Sequence, residues 1–366
     1  MNIEHPSKLM NPEWVHVIRS AATEAESAGK LTAEQLSLIY EQQWFKLLVP
    51  EIYSGPEMTV PVLVQLEESI SWANGSVGWV VTLCAGAGWF GGFFEPDIAK
   101  KIFERPDACL AGSGAAMGEA LITGDGYMVS GRWPYASGAH HATHFTANCI
   151  IKNDEGIVKD DAGQPLVRAF IFDAKDVTIS PTWKYMGMMA TGTDAFSVEN
   201  LFVTQEQCFR IDARHAFVTS LLYQYPFLQL AEATIAANLS GMAIHFIDCC
   251  KEIFAEKQNQ KNMEERHKSL LNSLLIEQEN RLNSSRELFY QAINKSWDKM
   301  ITASIDELSL AEVSNTSKQL AKMARECVDT LYPYCGLIAA ARSSEINQVW
   351  RDLHTASQHS LLTFAE

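Results

Sequence analysis

The sequence predicts a mixed α+β protein in three parts: an N-terminal helical domain, a middle β domain and a C-terminal helical bundle. Three observations carry this. Apolar residues recur every three or four positions over residues 13–104 and again from about Phe217. Between 106 and 214, short runs of β-branched and aromatic residues alternate with turn residues. The stretch from Leu270 to Met300 holds neither Gly nor Pro, as an uninterrupted bundle helix requires. The expected boundaries are 1–105, 106–214 and 215–366.

In chain order, Thr32 with Gln35 three residues on is a capping-box start for a helix carrying Leu36, Ile39, Tyr40 and Phe45. Pro50, Gly55-Pro56 and Pro61 punctuate the next stretch. A helix over about 60–72 then leads into a glycine-rich apolar helix, Val77 to Phe94. In the middle part, Gly124-Asp125-Gly126 is a hairpin turn between Ala120-Leu121-Ile122 and Tyr127-Met128-Val129. Further strands are expected at 145–152, 167–173, 177–183 and 195–203, with a loop at 160–165. Long helices are expected over 226–258, 263–300 and 306–332. Pro333 and Gly336 break the run before a closing helix over about 344–362.

The balance of 29 Lys+Arg against 44 Asp+Glu, net −15, argues against binding nucleic acid or an anionic membrane. The eight cysteines include no CxxC pair and read as reduced, mostly buried thiols of a cytoplasmic protein. Val77 to Phe94 approaches the length of a membrane span but contains five glycines, and a buried core helix is the expectation. No GxGxxG or GxxxxGK[ST] phosphate loop occurs, so a bound NAD(P)H is not expected.

Four stretches, in order along the chain, carry a family resemblance. They are Leu47-Leu48-Val49-Pro50-Glu51-Ile52-Tyr53-Ser54-Gly55, then Gly126 through Trp133-Pro134-Tyr135-Ala136-Ser137-Gly138, then Trp183-Lys184-Tyr185-Met186-Gly187 through Thr191-Gly192-Thr193, and finally Trp350-Arg351-Asp352-Leu353-His354 through His359. Over essentially the whole chain they resemble the acyl-CoA dehydrogenase superfamily, and most closely its branch of oxygenase components of two-component flavin monooxygenases. The resemblance implies an acyl-CoA dehydrogenase-like fold: N-terminal helices, a middle β-barrel or sandwich, and a C-terminal four-helix bundle. It also implies a homotetramer, a separate flavin reductase, and hydroxylation of an aromatic or similar apolar substrate through a C4a-hydroperoxyflavin.

The residues fit that chemistry in part. Trp133 offers either a ring face for a flavin or a plain core tryptophan. Ala136, Ser137 and Gly138 combine a hydroxyl with an N–H that a ligand can approach closely, and Thr191 and Thr193 are second candidate flavin contacts. Trp79 and Cys84 on the glycine-rich helix, with His140 and His141, are candidate substrate contacts. The cluster His140, His141 and His144 has no Cys, Asp or Glu within four residues, so no metal site is expected. Dehydrogenases of the superfamily place a glutamate shortly after the Arg-Asp pair of the last helix. Here that stretch is Ala356-Ser357-Gln358-His359-Ser360, without a carboxylate. The resemblance makes His359 catalytic with Ser137, oriented by Thr355 or Asp352 on the same helix face. His354, about 140° around that helix, is expected to be structural.

FAD-using relatives carry an arginine and, three residues on, a phenylalanine near the end of the first bundle helix. Residues Ala255 to Lys261 lack that pair, and only one glycine stands near Cys335-Gly336. Reduced FMN is therefore the expected cofactor, with FAD as the alternative. The rival functions are acyl-CoA dehydrogenation and a cofactor-free binding or assembly module on the same fold.

Overall fold

A computed structural model describes residues 3–259 and 263–363. Six helices open the chain: α1 (Pro12–Ser20), α2 (Ala22–Ala28), α3 (Ala33–Glu41), α4 (Val60–Ala73), α5 (Gly75–Gly88) and α6 (Pro96–Phe103). The capping box at α3 forms: Gln35 N–H donates to Thr32 Oγ1 at 3.4 Å while Thr32 N–H donates to Gln35 Oε1 at 3.1 Å. The glycine-rich helix ends at Gly88, six residues before the expected limit, and passes into a 3-10 turn over Trp89–Gly92.

The middle of the chain is one eight-stranded sheet, in the order β6-β7-β2-β1-β3-β5-β8 with β4 paired to β3. Its strands are β1 (Leu110–Thr123), β2 (Gly126–Ala136), β3 (His144–Asn153), β4 (Gly156–Ile157), β5 (Val167–Asp173), β6 (Thr178–Ser180), β7 (Asp194–Thr204) and β8 (Cys208–Phe209). The hairpin closes with Thr123 opposite Gly126. Residues 181–183, expected as strand, lie outside β6 because the Asp194 carboxylate captures the N–H groups of Thr182 and Trp183 at 2.6 and 2.9 Å. Alternation decides which face each residue serves: on β5, Phe170 and Phe172 enter a core private to the sheet, whereas Ala169 and Ile171 join the helical core.

The C-terminal helices are α7 (Leu221–Gln224), α8 (Phe227–Gln258), α9 (Glu265–Ile301), α10 (Glu307–Cys335), α11 (Leu337–Ala340), α12 (Glu345–Ala356) and α13 (Ser360–Thr363). Two expectations are corrected here. Pro333 does not end its helix; α10 continues to Cys335, and Gly336 at φ 79° makes the break. The closing helix is not continuous over 344–362 either: α12 stops at Ala356 and a short α13 comes after it. Helix α8 is long and apolar enough to cross a membrane, but nearly all of that stretch is buried in the protein.

The helices at the two ends of the chain share one core, with α4 and α5 packed on α8. A buried charge cluster crosses it. Arg286 on α9 donates to both oxygens of Glu68 on α4, at 2.8 and 2.7 Å, and Tyr290 and Ser240 donate to the same carboxylate. Every lone pair of a buried carboxylate that finds a donor offsets part of its desolvation. Glu67, the next residue, has no such partners. It is fully buried with neither oxygen in a hydrogen bond of ordinary geometry, and burial pushes its carboxyl up to about 8, with the Thr82 hydroxyl pulling the other way.

Residues Arg351 and Asp352 of α12 do not pair with each other. The Arg351 guanidinium binds the Glu26 carboxylate on α2, the Met186 carbonyl (2.7 Å) and Asn347 Oδ1 (2.8 Å). Asp352 accepts the Met188 N–H at 2.5 Å. Burial, then the Glu26 charge, raises Asp352 to about 7 against that hydrogen bond. The 183–193 loop is thereby tied to α12 at Met186 and Met188. Between them, a Cβ at Gly187 would stand 2.1 Å from the Arg351 carbonyl oxygen, so only glycine permits the approach.

These burials set two measurable properties. Between about 4.5 and about 8 the folded chain holds a proton on Glu67 that the unfolded chain releases. Stability at this site therefore falls as pH rises through that window and levels off above it. Glu67→Gln is expected to stabilise by roughly 2–4 kcal/mol more at pH 8 than at pH 4.5, read by paired melts; equal gains at both would refute it. Arg351→Ala strands the Glu26 charge and the Met186 carbonyl, and is expected to cost roughly 3–5 kcal/mol in urea unfolding. A loss under about 1 kcal/mol would mark the pair as an ordinary surface one.

Candidate active site

Two cavities meet at the seam between the sheet and the helices. The first, about 660 Å³, is walled by Trp79 and Leu83 of α5, Tyr135 and Ser137 at the end of β2, the docked loop from Trp183 to Met188, Thr193, and residues 354–360. The second, about 430 Å³, is lined mainly by apolar side chains from α5, α8 and the sheet. Ser137 and Leu83 belong to both linings, so the two spaces approach each other at these residues.

The turn that carries Ser137 is built by close packing. Gly138 sits at φ 76°, donates its N–H to the Thr191 carbonyl at 2.9 Å, and presses on Cys84, whose Sγ would be 2.6 Å from any Cβ there. Tyr135, two residues before Ser137, is held at φ 64°, a left-handed conformation rarely adopted by an aromatic residue. Strain of this kind persists only where the surroundings enforce it, and it collects at functional sites.

Donor and acceptor counting fixes the direction of the hydrogen bonds. Thr191 Oγ1 donates to the Met188 carbonyl at 2.7 Å, since a carbonyl can only accept. Its one proton is spent, so in the 2.6 Å contact with Thr193 the donor is Thr193. By the same count Ser137 donates to Thr193 at 2.9 Å, and Ser137 Oγ accepts from Trp79 Nε1 at 3.1 Å. The chain runs Trp79 to Ser137 to Thr193 to Thr191 to the Met188 carbonyl, and Met188 N–H continues to Asp352. The Ser137 proton is thus spent, and one lone pair is left free.

His359 lies in the turn between α12 and α13, so it shares no helix face with Asp352 or Thr355, and neither orients it. Its Nδ1 accepts the Leu361 N–H at 3.4 Å and its ring meets Trp79 edge to face at 5.9 Å. Burial lowers its pKa, so the imidazole is neutral at pH 7, and the Leu361 bond leaves Nε2 as the N–H donor. His354 also lines the first cavity, but both its nitrogens are engaged, by the Trp350 carbonyl and Asp329 at 2.8 Å each, and its ring stacks on Trp350.

Trp133 is a correction. Its indole is fully buried in the sheet core, 5.1 Å from Phe196 and 6.0 Å from Phe172, with Nε1 donating to the Asn148 carbonyl, so it presents no face to either cavity. Ala136 is likewise buried in that core. Of the residues singled out from sequence, Ser137, Thr193, Trp79, His354, Thr355 and His359 line the first cavity, and Gly138 and Thr191 do not. Cys84, His140 and His141 line neither. Cys84 faces the Ser137 carbonyl, and His140 binds the Asp194 carboxylate at 2.8 Å. His141 is half-buried, and burial, then the neighbouring His140 charge, lowers it to about 4.

The aromatic walls at Tyr135, Trp183 and Tyr185 were not anticipated. The Trp183 ring lines the first cavity, while its Nε1 is buried without a hydrogen-bond partner. Tyr135 and Tyr185 are 59% and 49% exposed at its rim, their hydroxyls 3.3 Å apart. Aromatic walls, an imidazole N–H and an acceptor hydroxyl fit a flat heterocycle with mixed polar edges. Among the described residues, the one potential metal group is His245, Cys249 and Glu345. Glu345 is already bound by His245 at 2.9 Å and faced by Arg19 at 3.7 Å, and none of the three lines either cavity.

Comparison with known proteins agrees with this architecture. Residues 233–364 match the acyl-CoA dehydrogenase C-terminal domain family. A pigment production hydroxylase from a Rhodococcus species is 24% identical, over 86% of this chain and 82% of its own length. The oxygenase subunit HsaA of a flavin-dependent monooxygenase from Rhodococcus jostii is 23% identical, over 94% and 91%. Among solved structures, 3-HSA hydroxylase from Rhodococcus sp. RHA1 superposes with a TM-score of 0.86 at 20% identity, covering 96% of this chain and 91% of that one. XiaF from a Streptomyces species, solved with FADH2 and glycerol, gives 0.85 at 20% identity, covering 96% and 89%. The chain has the acyl-CoA dehydrogenase-like fold and is a homologue of the oxygenase components of flavin-dependent monooxygenases.

Proposed function

We propose that the protein is the oxygenase component of a two-component flavin monooxygenase, with reduced flavin in the aromatic cavity and an apolar, ring-sized substrate in the second. The observation that carries this reading is the position of Ser137 on the walls of both cavities. When bound, reduced flavin supplies the activation of O2 and the transfer of one oxygen atom. His359 offers an N–H donor to its polar edge, Ser137 offers a lone pair held in place by Trp79 and Thr193, and Trp183 offers a ring face. His359, fixed as the Nε2–H tautomer, serves as a hydrogen-bond donor rather than as a base. Gly138 and Thr191 are positioning residues.

Reduced FMN is the cofactor we assign, because the stretch from Ala255 lacks the Arg/Phe pair; its last two residues, Gln260 and Lys261, lie outside the described residues. A separate flavin reductase supplies the electrons. Homotetramer assembly is supported by exposed apolar side chains on the bundle, Leu308 and Leu337 at 82% and 89%. Acyl-CoA dehydrogenation is disfavoured: among the described residues, no Asp or Glu lines either cavity, so the α-proton has no carboxylate to receive it.

Anaerobic titration with reduced FMN and reduced FAD, monitored by tryptophan fluorescence, tests the cofactor. Binding of reduced FMN at least about tenfold tighter than reduced FAD is expected, a gap of about 1.4 kcal/mol. The reverse order removes the FMN assignment, and binding of neither removes the enzyme reading. His359→Ala is expected to lower 18O2 incorporation into product roughly 10- to 100-fold while changing reduced-flavin affinity far less. Undiminished incorporation would take His359 out of the reaction.

A further inference from the structure

Two of the eight cysteines touch each other inside the C-terminal bundle. The Cys250 sulfur on α8 stands 3.4 Å from that of Cys335, the last residue of α10. The two residues are 85 positions apart, and both are buried as free thiols. Proton counting gives the contact a direction. The Cys335 S–H donates to the Leu331 carbonyl at 3.5 Å, since a carbonyl can only accept. The proton between the two sulfurs therefore belongs to Cys250, and the Cys335 sulfur accepts it. Cys249, next in the chain, faces about 100° away around α8.

The settings of the two sulfurs differ. Cys250 lies inside the 32-residue helix α8, whereas Cys335 ends its helix. Tyr334 and Gly336, on either side of Cys335 in the chain, are exposed, and Gly336 at φ 79° turns the backbone away. A helix end opens and shifts more readily than a helix interior. Cys335 is thus the sulfur that a small oxidant reaches, and the one able to close the gap to a bond of about 2.05 Å. Lys257, two turns beyond Cys250 on α8, donates to the Tyr334 carbonyl at 2.6 Å and fixes an ammonium beside Cys335. The Cys250 hydrogen bond, joined by the Lys257 charge, holds the Cys335 thiol below its ordinary value against the effect of burial. The same hydrogen bond, joined by burial, raises Cys250. A favoured thiolate with a second thiol in contact is the arrangement of an attacking and a resolving cysteine.

We propose that Cys250 and Cys335 form a redox-active dithiol, a modification site where hydrogen peroxide is consumed in closing a disulfide that locks the end of α10 to α8. The Cys335 thiolate attacks one peroxide oxygen, becomes a sulfenic acid and releases hydroxide. The Cys250 sulfur then attacks the Cys335 sulfur, and the sulfenic hydroxyl leaves with the Cys250 proton as water. Over both steps two thiols lose two hydrogens and one peroxide becomes two waters. The closed loop contains all of α9 and α10, and a loop that long stabilises chiefly by restricting the unfolded chain. This inference stands apart from the flavin reading.

The test treats the full, reduced chain with hydrogen peroxide, then blocks free thiols and maps peptides by mass spectrometry without reductant. One disulfide joining Cys250 to Cys335 is expected, with two of the eight thiols lost. The melting temperature is expected to rise by roughly 3–10 °C, and dithiothreitol is expected to reverse the rise. In Cys250→Ser the resolving thiol is gone, and dimedone is expected to trap a sulfenic acid on Cys335. In Cys335→Ser it is expected to trap none on Cys250, and peroxide is expected to leave the melt unchanged. The proposal is overturned if both thiols stay free, if the bond joins other cysteines such as Cys84 and Cys109, or if the disulfide forms without raising the melting temperature. Dimedone on Cys250 rather than Cys335 would also overturn it. The wild-type peptide map and melt decide the pairing and the lock whether or not either variant folds.

Discussion

The attachment of the 183–193 loop to α12 is the constraint on which the site depends. Arg351 gathers α2, the loop and its own helix around one guanidinium, and Asp352 takes the Met188 N–H. Both side chains are buried, where a planar five-donor cation and a carboxylate acceptor hold geometry far better than a surface pair does. Without that attachment Trp183 and Tyr185 would have no fixed place, and the hydroxyl chain from Ser137 would lose its terminal acceptor at Met188. Three segments far apart in sequence thus converge on one wall because an Arg-Asp dipeptide reaches outward in two directions instead of closing on itself.

That attachment also gives the site its polarity. A row of hydroxyls has no inherent direction, but one that ends on a carbonyl does. The Met188 carbonyl orders Thr191, Thr193 and Ser137 in turn, and Trp79 closes the other end as a donor. Ser137 therefore keeps a free lone pair, and His359 keeps its Nε2–H. A site that keeps one fixed acceptor and one fixed donor distinguishes oxidation states of a heterocycle whose ring nitrogens gain protons on reduction. It does so with neutral groups, so no buried charge has to be compensated.

Legibility differed sharply between fold and site. The long helices were readable because 3.6-residue periodicity is a local property, and the hairpin because Gly-Asp-Gly specifies its turn. Errors fell at the ends of elements. The α10 helix absorbs Pro333, and α12 stops at Ala356, three residues short of His359. Trp133 was open to two readings because an indole looks alike in sequence whether it faces a ligand or a core; the pleat of β2 turned it inward against Phe196. Tyr135, Trp183 and Tyr185 all lie within the family-like stretches of the sequence. Nothing local showed that Tyr135 and Tyr185, 50 positions apart, meet across one cavity.

By itself the sequence determined the order of helical layer, sheet and bundle, the acidic balance, the lack of a carboxylate from Ala356 to Ser360, and the candidate status of Ser137 and His359. These come from periodicity, composition and residue identity, which need no knowledge of distant contacts. The tertiary structure alone decided that Ser137 serves two cavities, that His359 is a donor free of Asp352, that Arg351 and Asp352 part company, and that Glu67 is buried without a hydrogen bond of ordinary geometry. Each is a matter of which groups are brought within hydrogen-bond reach after the chain has packed. Burial then sets their protonation and direction, and a linear pattern carries neither.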